Sequence, residues 1–330
     1  MQKKDPIVIG KRDFSKPNHW QNIELGNFKI TKPTIICLGG NCTITTEEAN
    51  GVCKVASSLI GLKNKFGDEQ ATIQDVDVIG IAYGSLENSD NPNTTMVTKQ
   101  EIGLIVDTLL MPLAFDEQGN RYSFEQAQRN FCNLNFFSHC YGSKVLNEMN
   151  FDLMRKMLSQ GYSSREILDL EKQMTSVAYA PMEEVFNMTA VQAISLKDLT
   201  TAVPSNANAG FQDAYLDIVR GNTVFSGTSL FIEDENTVTL FTSAMSPKPG
   251  NEHAINFIAR DERWRYGLLN PDHGDEVSQV LGYALATAVA TGLQNEYSQE
   301  FISKPTTEQI YLSAKDILSP FEQQDLGISQ

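Results

Sequence analysis

The chain has 330 residues, 41% of them hydrophobic, and a formal net charge of −15. This apolar fraction is ordinary for a globular protein with a buried core. The negative charge argues against nucleic acids and anionic membrane surfaces as partners, because like charges repel each other.

We expect neither a membrane-spanning helix nor a cleaved secretory signal in this sequence. No stretch approaches the roughly 20 apolar residues that a membrane-spanning helix needs, so no integral membrane association is expected. The first residues, MQKKDPIVIGKRDF, contain no apolar run of the kind found in a secretory signal. We therefore expect a cytoplasmic protein, or one that is exported without a cleaved signal peptide.

The first half of the chain alternates between strand patterns and helical patterns. The predicted strands are short apolar runs: PIVIGKRDF, NIELGNFKI, TKPTIICLGGN, VDVIGIAYGS, NLNFFSHC and TSVAYAP. Helical patterns separate the later strands, and the first of them begins with a capping threonine followed by acids. This alternation predicts an α/β fold, with a mostly parallel sheet and helices on both faces. The carboxyl ends of the strands then share one edge, where such sheets bind ligands.

The second half is less regular. Residues 182–222 read as mixed helix and loop. Two alternating segments around EDEN predict a hairpin or two strands, and a polar loop then opens into the long apolar helix of DEVSQVLGYALATAVATGL. The tail after Lys304 is expected to pack loosely. No linker divides the chain into independent domains.

The cysteines and the glycine loop indicate neither metal nor cofactor. Five cysteines are present: Cys37, Cys42, Cys53, Cys132 and Cys140. Their odd number does not suggest a disulfide framework, and none has the CxxC spacing of zinc sites. The loop at Gly39 and Gly40 lacks the Gly-Lys-Ser/Thr of a phosphate-binding loop. We therefore expect no cofactor.

The segment SHCYGS, residues 138–143, joins a predicted strand to a predicted helix. It resembles the nucleophile elbow of the α/β-hydrolase superfamily, in which the nucleophile lies on a sharp strand-to-helix turn. Ser138 is in the position of the small residue two before the nucleophile, Cys140 in that of the nucleophile, and Gly142 in that of the residue two after it. Ser143 departs from the pattern, since a second glycine is frequent there.

The resemblance implies further parts of a catalytic site. The family has a glycine loop after an earlier strand, and IICLGGN supplies one. The backbone N–H of Tyr141, with one from Gly40 or Asn41, would then stabilise a developing oxyanion. The family also has a histidine in a loop before a late helix. His273 in PDHGDEVSQVLG is the candidate base, with His253 in reserve.

Cysteine stands where most of the superfamily has serine, although members such as the dienelactone hydrolases use cysteine. A thiolate is intrinsically nucleophilic, and a helix N-terminus or a neighbouring imidazolium favours it. The thiolate of Cys140 would be favoured by the N-terminus of the helix that follows it and, if the resemblance holds, by the imidazolium of His273.

The acid of a triad stays open at this point. The family places an Asp or Glu just after a late strand. Some members instead take this acid from the strand that corresponds to TSVAYAP in this sequence. We favour Glu183, which follows that strand, with Glu252 and Asp261 as alternatives. A Cys–His pair can also work without a strong acid, because the ion pair itself sustains the thiolate.

The resemblance predicts one α/β-hydrolase-like domain over residues 1–330, with residues 182–222 as a cap or lid insertion. The implied activity is that of an esterase, lipase or thioesterase, a hydrolase or acyltransferase acting on an ester, thioester or amide through a covalent acyl-cysteine. The partner would be a small-molecule or acyl substrate. Two alternatives stay open: a cysteine peptidase or deamidase acting on a protein, and a non-catalytic binding protein on the same scaffold.

Overall fold

The structure, a computed structural model, describes residues 5–14, 19–24, 28–41, 43–65, 75–85, 97–196, 198, 212, 216, 228–232, 236–242 and 276–325. Its strands are β1 (Val8–Asp13), β2 (His19–Asn22), β3 (Thr34–Leu38), β4 (Asp77–Ala82), β5 (Leu134–His139), β6 (Thr175–Tyr179), β7 (Thr189–Ser195), β8 (Thr228–Ile232) and β9 (Thr237–Thr242). They form one nine-stranded sheet in the order β2-β1-β4-β3-β5-β6-β7-β9-β8. The run from β4 to β9 is parallel, and β1, β2 and β8 pair with antiparallel neighbours at the two edges.

The described helices are α1 (Thr46–Lys65), α2 (Lys99–Ile105), α3 (Met111–Ala114), α4 (Phe124–Cys132), α5 (Tyr141–Ser159), α6 (Ser164–Glu171), α7 (Glu276–Tyr297) and α8 (Thr307–Asp325), with a π-helical turn between α2 and α3. Capping boxes start α2, where Thr98 pairs with Glu101, and α6, where Ser163 pairs with Glu166. Within the described ranges, none of the helices combines the length and apolar character that crossing a bilayer requires.

Helices cover both faces of the sheet, and β3 shows how. Ile35 and Cys37 belong to a hydrophobic cluster shared with α1, α7 and α8, whereas Ile36 and Leu38 belong to a second cluster shared with α2, α5 and α6. Successive side chains of a strand point to opposite faces, which produces this division. The predicted mostly parallel sheet with helices on both faces is therefore confirmed.

The strand order reverses at β3. The chain runs from β3 to β4 on one side of it and later returns to β5 on the other side. The helix after β3 packs on one face, whereas the helix after β5 packs on the opposite face. The carboxyl ends of β3 and β5 thus lie at a reversal point, where open α/β sheets bind their ligands.

The prediction of a cap over residues 182–222 is wrong for residues 189–195, which lie in the first half of that segment. Thr189–Ser195 form β7, whose seven residues are all buried and which pairs with β6 and β9 inside the sheet. Gln192 interrupts the apolar run that would have marked this strand, and its Nε2 donates a hydrogen bond of 2.9 Å to Thr239 Oγ1. Most residues from 199 to 222 lie outside the described part of the chain, so the cap there stays a prediction.

The N-terminal hairpin also differs from the prediction. Its second strand is His19–Asn22, not the later run NIELGNFKI. The ring of Trp20 lies against Gly10 and Gly80, where a Cβ would stand 2.1 Å and 3.0 Å from it. The packing of this indole on two glycines favours the pairing of β1 with His19–Asn22.

The tail after Lys304 does not pack loosely, contrary to the expectation. The Lys304 ammonium is buried and donates to the carbonyl of Leu134 at 2.7 Å and to Asn135 Oδ1 at 2.6 Å. Burial lowers its pKa to about 8. Beyond it, α8 buries Ile310 and Ala314 against the core. The tail is thus anchored at both its start and its helix.

Glu171, at the end of α6, makes the stability of the fold depend on pH. Its side chain is 1% exposed, and burial raises the carboxyl pKa from an ordinary 4.5 to about 8, an effect that Asn150 and Asn187 partly oppose. The folded chain therefore holds this proton more tightly than the unfolded chain. Its contribution to stability is complete below about pH 4.5 and is lost progressively as the pH rises to about 8.

Replacing Glu171 with glutamine is expected to stabilise the protein near pH 8, by about 2 to 4 kcal/mol, because the neutral amide carries no ionisation cost. The gain should shrink toward pH 4.5. Urea unfolding at several pH values measures it, with the exposed Glu148→Gln as the control. Equal stability changes at pH 5 and pH 8 would show that this carboxyl does not hold its proton in the folded state.

Candidate active site

Cys140 occupies a strained turn between β5 and α5. Its backbone angles are φ 53° and ψ −120°, which residues other than glycine rarely adopt. Such a conformation costs about 1 to 3 kcal/mol and persists only where the surroundings hold it in place. The turn carries the thiol, which is half-buried, to the carboxyl edge of the sheet.

Four hydrogen bonds hold the backbone of this turn. The carbonyl of Cys140 accepts from Ser143 N at 3.2 Å, from Ser143 Oγ at 2.8 Å and from Met182 N at 3.1 Å. Its N–H donates to the carbonyl of Tyr179 at 3.2 Å. Ser143 Oγ also accepts from the N–H of Glu183 at 3.1 Å. The serine that departs from the family pattern therefore ties the turn to the segment after β6.

Position 142 has no room for a side chain. A Cβ there would stand 2.0 Å from the carbonyl oxygen of Leu38 and 3.0 Å from that of Gly39. Glycine lets the first turn of α5 pack directly on the end of β3. The preceding His139 is buried and its ring stacks on Tyr179, with centroids 6.1 Å apart. This histidine is thus part of the packing under the turn.

The glycine loop after β3 approaches the thiol closely. A Cβ built on Gly40 would lie 3.3 Å from Cβ and 3.7 Å from Sγ of Cys140. The Gly39 carbonyl accepts a hydrogen bond of 3.0 Å from the hydroxyl of Tyr83, and the Gly40 carbonyl accepts one of 2.9 Å from Thr43 N. The loop is therefore fixed beside Cys140, with the absence of a side chain leaving the approach open.

The other described cysteines have a different environment. Cys37, Cys53 and Cys132 are all buried. Burial, together with contact with Cys53, raises the pKa of Cys37, and burial raises that of Cys132. The thiols of Cys37 and Cys132 therefore stay neutral at physiological pH, and Cys140 alone among the described cysteines is partly open to solvent.

The structure brings some of the predicted residues together. Gly40 adjoins Cys140, Asn41 follows Gly40 in the same loop, and Tyr141 is the first residue of α5. The N–H groups of a first helical turn have no partner within the helix, and that of Tyr141 is one of them. The predicted base His273 lies outside the described residues, as do His253, Glu252 and Asp261.

The carboxylate of Glu183 is directed along α5. Its Oε2 accepts from Asn147 Nδ2 at 3.1 Å, and its Oε1 lies 3.8 Å from Lys144 Nζ. Both partners belong to the first two turns of the helix. The backbone of Glu183 thus helps to hold the turn, while its side chain makes contacts away from the turn's apex.

Asp198 is a candidate that the sequence reasoning missed. It comes three residues after the end of β7, is 2% exposed, and donates its backbone N–H to the carbonyl of Ser195 at 3.0 Å. Because β5 and β7 run in the same direction, Asp198 and Cys140 lie at the same edge of the sheet. An acid three residues after a buried run could have been noticed, but the run TAVQAIS was assigned to the cap.

No model of a known protein family matches the chain, and no curated protein sequence matches it either. Among the described residues, no group of three or more His, Cys, Asp or Glu side chains is arranged to hold a metal ion.

Proposed function

We propose that this protein is an α/β-hydrolase-like enzyme that hydrolyses or transfers the acyl group of an ester, thioester or amide through a covalent acyl-cysteine on Cys140. The observation that carries the proposal is the strained turn of Cys140 beside the glycine loop, where a Cβ built on Gly40 would lie 3.3 Å from Cβ and 3.7 Å from Sγ of Cys140. Strain of this kind is concentrated at functional sites, because packing alone does not require it.

The position of the turn in the sheet supports the same reading. A nucleophile elbow follows a central parallel strand, and its oxyanion donors come from the residue after the nucleophile and from the loop after an earlier strand. Here these are Tyr141, after β5, and Gly40, after the adjacent β3. The two strands flank the reversal in strand order.

The chemistry follows from these groups. The thiolate of Cys140 attacks the carbonyl carbon, and the carbonyl oxygen becomes an oxyanion that the N–H groups of Gly40 and Tyr141 stabilise. Collapse of this intermediate breaks the bond to the leaving group, which takes a proton from the imidazolium of His273, the proposed base. Water then cleaves the thioester in hydrolysis, or an alcohol, amine or thiol accepts the acyl group in transfer.

We assign the acid that orients the base to Asp198 in preference to Glu183. Both acids lie between Cys140 and His273 in the chain, the order of nucleophile, acid and histidine that this fold uses, and Asp198 is the more buried of the two at the carboxyl edge. The carboxylate of Glu183 already contacts Asn147 and Lys144.

The test is acylation of the protein by p-nitrophenyl acetate. We expect a mass increase of one acetyl group on the intact chain, mapped to the peptide containing Cys140, and competition by prior treatment with iodoacetamide. The buried Cys37, Cys53 and Cys132 are internal controls that should react far more slowly. If Cys140 is neither acylated nor alkylated faster than these thiols, the proposal is wrong and a non-catalytic binding role is favoured.

A further inference from the structure

Tyr83 reaches the glycine loop from the neighbouring strand. It follows β4 directly and is completely buried, and its hydroxyl donates to the carbonyl of Gly39 at 3.0 Å. Its own N–H donates to the carbonyl of Thr43 at 2.9 Å, on the far side of the same loop. Burial raises the pKa of this phenol well above its ordinary value, so the hydroxyl stays a donor at neutral pH.

This hydrogen bond determines which way the peptide between Gly39 and Gly40 faces. The described chain has no cis peptide bond, and in a planar trans peptide the N–H points opposite to the carbonyl oxygen. With the Gly39 oxygen held toward Tyr83, the Gly40 N–H is directed away from Tyr83. Gly40 is also the residue of the loop whose missing side chain faces Cys140.

Tyr83 also contacts the second half of the oxyanion cradle. Its ring packs edge-to-face on the ring of Tyr141, with centroids 6.2 Å apart and planes at 85°. One buried side chain therefore contacts Tyr141 and also the carbonyl of the Gly39–Gly40 peptide, whose N–H belongs to Gly40. Rotation of the Gly39–Gly40 peptide would break its hydrogen bond to Tyr83 and leave a buried carbonyl without a donor, which is costly.

We infer that Tyr83 is a positioning residue, which presets the Gly39–Gly40 peptide so that the N–H of Gly40 faces the oxyanion formed at Cys140. The inference rests on the proposed function, and it extends that function to a residue that does not touch the reacting atoms. Preorganised donors of this kind stabilise a transition state because they need no reorientation during the reaction.

The decisive variant is Tyr83→Phe, which removes the hydroxyl and keeps the ring. Acylation of Cys140 by p-nitrophenyl acetate, followed as p-nitrophenolate release, is expected to slow by about 10-fold or more, since losing an oxyanion donor outright costs about 100-fold or more. Alkylation of Cys140 by iodoacetamide is expected to stay within about twofold of the wild-type rate. Displacement of iodide develops no oxyanion, so it reports on the thiol alone.

The chain provides a matched control in Tyr162. This tyrosine is also buried, donates its hydroxyl to the carbonyl of Ala114 at 3.0 Å, and packs edge-to-face on Phe115. Tyr162→Phe therefore has the same effect on buried hydrogen bonding, and it should leave both reactions of Cys140 unchanged.

The outcomes separate this inference from the proposal on which it rests. Selective loss of acylation in Tyr83→Phe supports the positioning role. Unchanged acylation overturns the positioning role but does not contradict the proposed acyl-cysteine mechanism. The same holds for an equal loss of acylation and alkylation, which would mean that the thiol itself was displaced. A wild-type protein that is alkylated at Cys140 but never acylated overturns both.

Discussion

Replacing Cys140 with alanine is expected to abolish acylation and to lower turnover of a responsive ester by at least about 1,000-fold. The strained turn presents this one sulfur beside Gly40, and the described thiols other than Cys140 are buried. Cys140→Ser should retain the geometry of the turn yet leave little activity. Without a strong base to deprotonate it, a hydroxyl is a far weaker nucleophile than a thiolate. Turnover and intact mass are the measurements.

Stability provides an independent check on the same residue. Cys140→Gly should be more stable than Cys140→Ala by about 1 to 2 kcal/mol, since glycine adopts φ 53° and ψ −120° without strain. An inactive glycine variant that is also more stable than the alanine variant would show that the strained turn serves the function of the thiol and not the stability of the fold. An alanine variant with undiminished turnover would disprove the mechanism.

The second large effect is expected from Asp198→Asn, which should lower kcat/KM about 100-fold and alter its pH dependence. The amide keeps the shape of the side chain but loses the charge that would stabilise an imidazolium. The effect is smaller than in a serine triad because a Cys–His ion pair partly sustains itself. The pH–rate profile is the informative measurement, since a purely structural loss would lower the rate at every pH alike.

Glu183→Gln is the matched comparison for Asp198→Asn. Its effect on kcat/KM should stay within about threefold, because the side chain contacts Asn147 and Lys144 on α5 while its backbone N–H, which binds Ser143, is unchanged. The reverse result, with Glu183→Gln inactive and Asp198→Asn active, would return the role of the acid to Glu183.

The strained turn links the candidate nucleophile to its neighbour strand. The N–H of Cys140 bonds to the end of β6, and its carbonyl bonds to Met182 and to Ser143. These hydrogen bonds stabilise the strained backbone from two segments, the one after β5 and the one at the end of β6. The position of the thiol therefore depends on residues that carry no reactive group.

Sequence patterns found the sheet because strands covered on both faces are nearly continuous apolar runs, as in TIICL of β3. They missed β7 because Gln192 and two threonine or serine ends make that run look polar. Its buried hydrogen bond to Thr239 comes from β9, nearly 50 residues further on. The loss of β7 also concealed Asp198, since an acid is informative only when the end of its strand is known.

The order of residues along the chain was enough to identify an α/β architecture, the turn at Cys140 and the glycines that must surround it, because periodicity, small residues and turn chemistry are local properties. The roles of Tyr83, Ser143 and Asp198 depend on which strands become neighbours. Tyr83 meets Gly39 only because β4 pairs with β3, and Ser143 receives Glu183 only because β6 pairs with β5. Pairing between distant segments depends on packing across the whole sheet, and no short stretch of sequence contains that information.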